Sequence, residues 1–363
     1  MKPVRAALVG LAVLVTSLFA GSVPAFAATI HVGPGQSIQA AVDSAQPGDT
    51  IVVAPGVYQE SVEIREDDLT ILGAGSGEGG TVLEPPATVD NVCTQNAGGL
   101  AGFCVVGTLD SDPPEPFEPG GPVVLDTVIE GFQIRGFESG VLLYRARFSR
   151  LADLGLVDND EYGLFSVDSQ STRITDSSAT GNGEAGFYIG DTRNSAAGIT
   201  DSVATGNGIG IFLRDATQGR VSGNIVRDNC VGLMALDTGS TPIGVNRWVI
   251  RGNIFSRNNA VCAANEQSPP LSGAGVVLIG ARKTIVSGNQ ANNNRPAGPS
   301  FVGGGIMLAS GEDAGGAVPT GNRVNGNTAH NNSPADLVYD GSGSNNQFAD
   351  NDCGSSQPSG LCG

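Results

Sequence analysis

The sequence predicts an all-β protein in which short parallel strands wind into a coil and stack on copies of themselves. The first sign is a recurring segment. SGVLLYR (139–145), YGLFSVD (162–168), AGFYIGD (185–191), IGIFLRD (209–215) and VGLMALD (231–237) align on Gly140, Gly163, Gly186, Gly210 and Gly232, a period of 22 to 24 residues. A fixed period of this size marks repeat architectures, whose units bury their apolar faces on their neighbours. The second sign is a further half-unit in the same phase. Ile174, Ile199, Val221, Ile250, Val286 and Val324 each lie eight residues before an asparagine, at Asn182, Asn207, Asn229, Asn258, Asn294 and Asn332. From Val221 onward another asparagine follows three residues after the aliphatic, at Asn224, Asn253, Asn289 and Asn327, and at Asn351 after Phe348. The third sign is composition: 54 glycines and only 15% charged residues suit a turn-dense chain of short strands.

The elements follow in order. Residues 1–27 join Lys2 and Arg5 to an apolar core, ALVGLAVLVTSLF, and end on Ala25-Phe26-Ala27, the small-x-small pattern of a signal-peptidase site. A signal peptide over 1–27 and a secreted mature chain starting at Ala28 are expected. No stretch reaches the ~18 uninterrupted apolar residues of a membrane span. In IHVGPGQSIQAAVDSAQPGDT, Ser37 reads as an N-cap, and Ile38, Ala41, Val42 and Ala45 form one apolar stripe ending before Pro47-Gly48. Such a short helix would cover the open end of the stack, where strand edges are otherwise bare. An insertion follows at about residues 85–120, and then the strong repeats, in which the glycine is read as turning a corner. Weaker copies, AGVVLIG (274–280), GGIMLAS (304–310) and ADLVYDG (335–341), come at longer intervals that imply loop insertions. Leucine-rich repeats share the period, but no LxxLxLxxN occurs.

Export favours disulfides. The six cysteines fall into a close pair (Cys93, Cys104), a pair one repeat apart (Cys230, Cys262) and a C-terminal pair (Cys353, Cys362), none with the CxxC spacing of a zinc or redox site. Residues 28–363 are expected to form one domain with its insertion closed by Cys93–Cys104.

The stretch IHVGPGQSIQAAVDSAQPGDTIVVAPGVYQESVEI, with DLTILGAG (68–75) and the rungs behind it, closely resembles the right-handed parallel β-helix proteins of the pectin-lyase-like superfamily. It is most similar to their secreted bacterial members without an assigned activity. The resemblance covers nearly all of residues 29–352 and implies a right-handed parallel β-helix of about ten coils with a short N-terminal capping helix. It is specific for fold and not for activity, because the superfamily includes lyases, hydrolases, esterases, epimerases, phage depolymerases and non-catalytic proteins.

With strand side chains alternating, the positions one and three after the repeat glycine look inward: Leu164, Phe187, Ile211 and Leu233, then Ser166, Ile189, Leu213 and Ala235. The residue between them looks outward and is nevertheless apolar: Leu142, Phe165, Tyr188, Phe212, Met234, Val277 and Met307. An outward row at ~4.8 Å rung spacing could be a platform for sugar rings, with Phe165, Tyr188 and Phe212 as substrate-binding residues beside Arg145, Arg193 and Arg214. Alternatively the insertion at 85–120 or the tail folds over the row and buries it.

A second column stands five residues after the glycine: Arg145, Asp168, Asp191, Asp215 and Asp237. Carboxylates one rung apart would lie near ~5 Å and two rungs apart near ~9.5 Å, the separations of retaining and inverting glycosidase pairs. Like charges that close raise a pKa or hold a cation, so Asp168, Asp191 and Asp215 are candidate catalytic residues. The same aspartates also read as turn formers at strand ends, neutralised by Arg145, Arg193 and Arg214. Glu161 and Glu184 could join Asp158 and Asp160 as oxygen ligands, with calcium as the cofactor, or be solvated loop charges.

A formal net charge of −17 disfavours nucleic acid and anionic membrane surfaces, and also polyuronates unless a divalent cation intervenes. Only His31 and His330 exist, which removes Ser-His-Asp catalysis and histidine metal sites, and three methionines leave little for copper. GPGQS (33–37) lacks the lysine of a phosphate loop, and GAGSGEGG (73–80) does not open a helix. The DH-type dipeptide with basic residues of pectate lyases and mannuronan epimerases is missing. The expected function is contact with an extended polysaccharide or cell-envelope glycan by a secreted monomer. It is either a polysaccharide lyase or glycoside hydrolase, or a non-catalytic envelope or matrix protein.

Overall fold

The computed structural model describes residues 27–89, 91–94, 99–107, 123–242, 244–265 and 268–363. The expected signal peptide up to Phe26 and much of the insertion at 85–120 lie outside the described residues. The described chain winds into a parallel β-helix with three faces. On the first, twelve strands stack from Thr29–Val32 to Gln347–Ala349, with Arg150, Arg173, Gly198, Arg220, Val249, Ile285, Arg323 and Gln347 one above another. The second face runs from Gly56–Gln59 to Asp352–Cys353, and the third from Val62–Ile64 to Ser356–Gln357. Each of these two holds eleven strands among the described residues, close to the ten coils expected.

The corners explain much of the sequence pattern. Successive coils turn through residues in the left-handed region, which costs least for Gly, Asn and Asp. Between the first and second faces these are Asp153, Asp176, Asp201, Gly223, Gly252, Gly288, Gly326 and Asp350, with φ between 46° and 74°. After the third face they are Arg145, Asp168, Asp191 and Asp215, at 46° to 55°, and then Gly280 at 67°.

Both asparagine columns are hydrogen-bonded ladders. Asn207 donates its backbone N–H to Asn229 Oδ1 at 2.9 Å, and its Nδ2 both to that oxygen at 3.0 Å and to the Ala179 carbonyl at 3.0 Å. This pattern runs from Asn159 through Asn182, Asn207, Asn229, Asn258 and Asn294 to Asn332. The Asp336 carboxylate ends it, accepting from the Asn332 backbone and side chain. The second ladder joins Asn224, Asn253, Asn289, Asn327 and Asn351. Buried amides must be paired, and stacking identical residues pairs every one.

The repeat glycines do not turn corners. Gly186 lies outside the left-handed region; a Cβ there would stand 2.8 Å from the Gly210 carbonyl oxygen and 3.0 Å from Asn207 Nδ2. Glycine is needed because ladder and next coil approach the backbone too closely for a side chain.

All the inward positions named above are buried, Leu164, Ile211, Leu213 and Leu233 completely. Trp248 fills one rung and donates Nε1–H to the Ala216 carbonyl at 2.9 Å. The expected helix is α1, Ile38–Ser44, with Ile38, Ala41 and Val42 buried. The Ser37 hydroxyl accepts from Ala40 N, and Glu60 from a later coil accepts from Ile38 and Gln39 N. That carboxylate satisfies free donors at the helix start. At the other end Leu361 and Cys353 pack on the core. The three bridges pair as expected: Cys93–Cys104, Cys230–Cys262 and Cys353–Cys362. Among the described residues no helix is long and apolar enough to cross a membrane.

Candidate functional site

The outward apolar row is in place but buried. Tyr188 is 2% exposed and Phe212 7%, while Phe165 is half-buried. The rings pack on one another along the coils, Phe165 to Tyr188 at 4.9 Å and Tyr188 to Phe212 at 5.3 Å, and Tyr162 stacks on Phe165 at 4.4 Å. Leu271 and Val302, from the loops before Ala274 and Gly304, join Cys230, Met234 and Val277 in the same apolar cluster. Val92 and Cys93 from the insertion pack on Leu142. So Tyr188 and Phe212 present no platform to a sugar ring, and Phe165 keeps only partial exposure beside them, which corrects the reading of the three as an open aromatic row. The covers are the start of the insertion and two later loops; the tail instead closes the end of the coil.

The acid column is held by internal partners. Arg145, only 4% exposed, donates Nε–H to Asp168 Oδ2 at 3.2 Å. Arg214 reaches Asp191 at 3.6 Å and Asp215 at 3.8 Å. Tyr188 donates its hydroxyl to Asp191, and Thr238 donates its backbone N–H to Asp215. Asp237 accepts from Gly239 N at 2.9 Å and pairs with Arg282 at 3.4 Å. Burial raises the pKa of Asp168, Asp191 and Asp215, and their bonds to arginine, tyrosine and threonine offset it in part. The Asp215 side chain is fully buried, whereas those of Asp168 and Asp191 keep 25% and 16% exposure. Recurrence of Asp here follows from the left-handed corner. Arg193 is exposed and takes part in none of these pairs.

Glu161 and Glu184 are exposed and stacked beneath Glu138. Burial, then repulsion from Glu138 and Glu184, raises the Glu161 pKa, and Glu184 hydrogen-bonds Tyr162. Among the described residues no three His, Cys, Asp or Glu side chains converge closely enough to hold a metal ion.

The outer sides of the first and second faces remain open, and the first carries the more ordered polar pattern. Its strands alternate inward aliphatics with two outward columns. One carries Arg150, Arg173, Arg220 and Arg323, all exposed; the other carries Thr175, Thr200, Ser222, Arg251 and Ser287. Sequence reasoning missed this face. Its signal was present, since these residues flank Ile174, Ile199, Val221, Ile250, Val286 and Val324 at positions that must point out when those aliphatics point in.

Residues 139–314 match a family model described as right handed beta helix region. Among solved structures, the A-modules of the Azotobacter vinelandii mannuronan C-5 epimerases AlgE4 and AlgE6 superpose with TM-scores of 0.60 and 0.55, at 16% and 17% identity. Those alignments cover 88% of this chain and 91% and 90% of the modules. The tailspike protein of E. coli bacteriophage HK620, solved with a pentasaccharide, superposes with a TM-score of 0.62 at 15% identity, over 89% of this chain and 60% of that one. No curated protein matches the sequence. The stacked parallel faces and these matches define the class: a right-handed parallel β-helix.

Proposed function

We propose that this chain is an exported, non-catalytic β-helix protein that binds an extended glycan along the outer side of its first face. The observation that carries this reading is the pair of outward columns, in which Arg150, Arg173, Arg220 and Arg323, interrupted by Gly198, Val249 and Ile285, stand beside Thr175, Thr200, Ser222, Arg251 and Ser287. Guanidinium and hydroxyl donors suit the oxygen-rich surface of a sugar chain, and rungs recurring every ~4.8 Å offer equivalent contacts to a periodic ligand. Glycan-related neighbours on the same fold, an epimerase module and a tailspike–pentasaccharide complex, support a carbohydrate partner. Three disulfides support an oxidising compartment and, with the leader-like 1–27, export.

The test is calorimetric titration of residues 28–363 with a panel of polysaccharides. Binding weakened by Arg173→Gln and Arg220→Gln is expected, and no binding to any glycan overturns the reading. A second, catalytic reading draws on the raised pKa and partial exposure of Asp168 and Asp191. New reducing ends or unsaturated products that disappear in Asp191→Asn would establish it in place of the non-catalytic one.

A further inference from the structure

We infer that the glycan held on the first face is a polyanion, gripped at the C-terminal coils by a cationic strip within an acidic protein. The inference rests on the glycan reading above and names its chemical class. The four segments that form the first face in these coils are TQGRVSGN (217–224), NRWVIRGN (246–253), RKTIVSGN (282–289) and TGNRVNGN (320–327). They contain Arg220, Arg247, Arg251, Arg282, Lys283 and Arg323 and no aspartate or glutamate, although the whole chain has 36 acidic residues against 19 basic ones.

Arg282 is half-buried and paired with Asp237. The other five are exposed, and among the described residues none of them forms an ion pair. Of the described arginines elsewhere, Arg65, Arg135, Arg145, Arg214, Arg227 and Arg257 each hold a carboxylate, whereas Arg147, Arg150, Arg173, Arg193 and Arg295 form no ion pair. What sets the strip apart is five exposed cations in four segments that carry no acid of their own. Acids do border the strip: Asp215 and Asp228 flank its first segment in sequence, Asp201 stands at the corner of the coil above beside Gly223, and Asp237 holds Arg282; none pairs with the five. A protein of net charge −17 has carboxylates to spare, so a strip left without them is matched to an outside anion.

The spacing describes that anion. The cations occur on four successive coils of this face: Arg220, then Arg247 and Arg251, then Lys283 just before the strand Ile285–Ser287, then Arg323. At ~4.8 Å per rung this supplies at least one positive charge for every sugar-sized step over ~14 Å. The matching ligand is an extended glycan with one carboxylate, sulfate or phosphate on each sugar. Four sugars span the strip, and the surrounding acidic surface repels longer flanks, so affinity rises with length up to the tetramer and then levels off. Counterion release makes binding salt-sensitive.

The experiment titrates residues 28–363 with oligogalacturonates of increasing length, dextran sulfate, neutral dextran and duplex DNA. Oligogalacturonate or dextran sulfate is expected to bind, losing about tenfold in affinity between about 50 and about 300 mM NaCl. Which of the two binds more tightly distinguishes a carboxylated from a sulfated partner. The combined Arg220→Gln, Arg251→Gln and Arg323→Gln variant is expected to lose at least about tenfold with an unchanged thermal midpoint, because these side chains are exposed. Neutral dextran bound as tightly, and unaffected by the triple variant, overturns the polyanion inference while the glycan reading stands. Binding to no glycan overturns both, and DNA bound more tightly than every glycan overturns the assignment of the polyanion to a glycan.

Discussion

The Tyr188 hydroxyl donates to Asp191 Oδ2 at 3.2 Å, three residues along the same strand, while its ring lies across Gly190, where a Cβ would come within 2.2 Å of it. An aromatic that looks like a docking surface in the sequence is thus folded flat against its own strand. Tyr188→Phe keeps the ring and loses one bond, an expected cost of about 1 kcal/mol. Tyr188→Ala removes the centre of the aromatic stack and should cost about 3–5 kcal/mol in a urea titration. A Tyr188→Ala protein as stable as the parent would mean the row is not packed as described.

The ladder predicts a sharper asymmetry. Asn229 accepts from Asn207 and donates to Asn258 and to the Ala204 carbonyl, all buried. Asn229→Leu strands these partners and should cost about 2–5 kcal/mol, seen as a lower urea midpoint with an unchanged slope. Asn229→Asp should fail as well, because its carboxylate would face Asn258 Oδ1 with no proton to offer. Asp336 succeeds at the ladder's end because there it need only accept, from Asn332, Gly354 and Ser355.

The acids set opposite pH dependences. Asp168, Asp191 and Asp215 have raised pKa values through burial, so the folded state binds their protons more tightly than the unfolded one. Their contribution is complete below the unfolded value of about 4 and is lost as pH rises through the folded values. For Asp336 burial is outweighed by bonds from Asn332, Ser355 and Gly354, and its pKa is lowered. Its contribution is present above about 4 and lost as pH falls through the folded value. Melting temperatures followed across pH should therefore decline less from mildly acidic to neutral pH in Asp191→Asn than in the parent. Asp336→Asn should destabilise at neutral pH and converge on the parent in acid.

Cys230 and Cys262 tie a loop over the outer row, 32 residues apart in sequence. Replacing both with serine should cost about 3–4 kcal/mol by loop entropy. It should also expose Met234 and Val277, read as increased binding of an apolar dye. Lost stability without dye binding would place the cover elsewhere.

The stack was legible because repetition multiplies weak signals. One Gly-Asn pair says little, but Asn182, Asn207, Asn229, Asn258, Asn294 and Asn332 in one phase require a ladder, and strand alternation then sorts inside from outside. The covers over Tyr188 and Phe212 were not legible, since Leu271 and Val302 lie in loops without period. The cationic strip was hidden for another reason: summing charge over the chain gives −17 and erases the segregation that folding creates.

By itself the sequence determined the repeat unit, the parallel stacking, the capping helix and the cysteine pairing, because each follows from local periodicity and spacing. Tertiary structure alone decided which outward surfaces stay open. Whether Tyr188 meets solvent depends on a loop dozens of residues away, and whether Arg220, Arg251 and Arg323 meet an anion depends on carboxylates that the corners carry to other sides of the coil. Exposure and electrostatic potential are sums over neighbours in space, and no single repeat contains its neighbours.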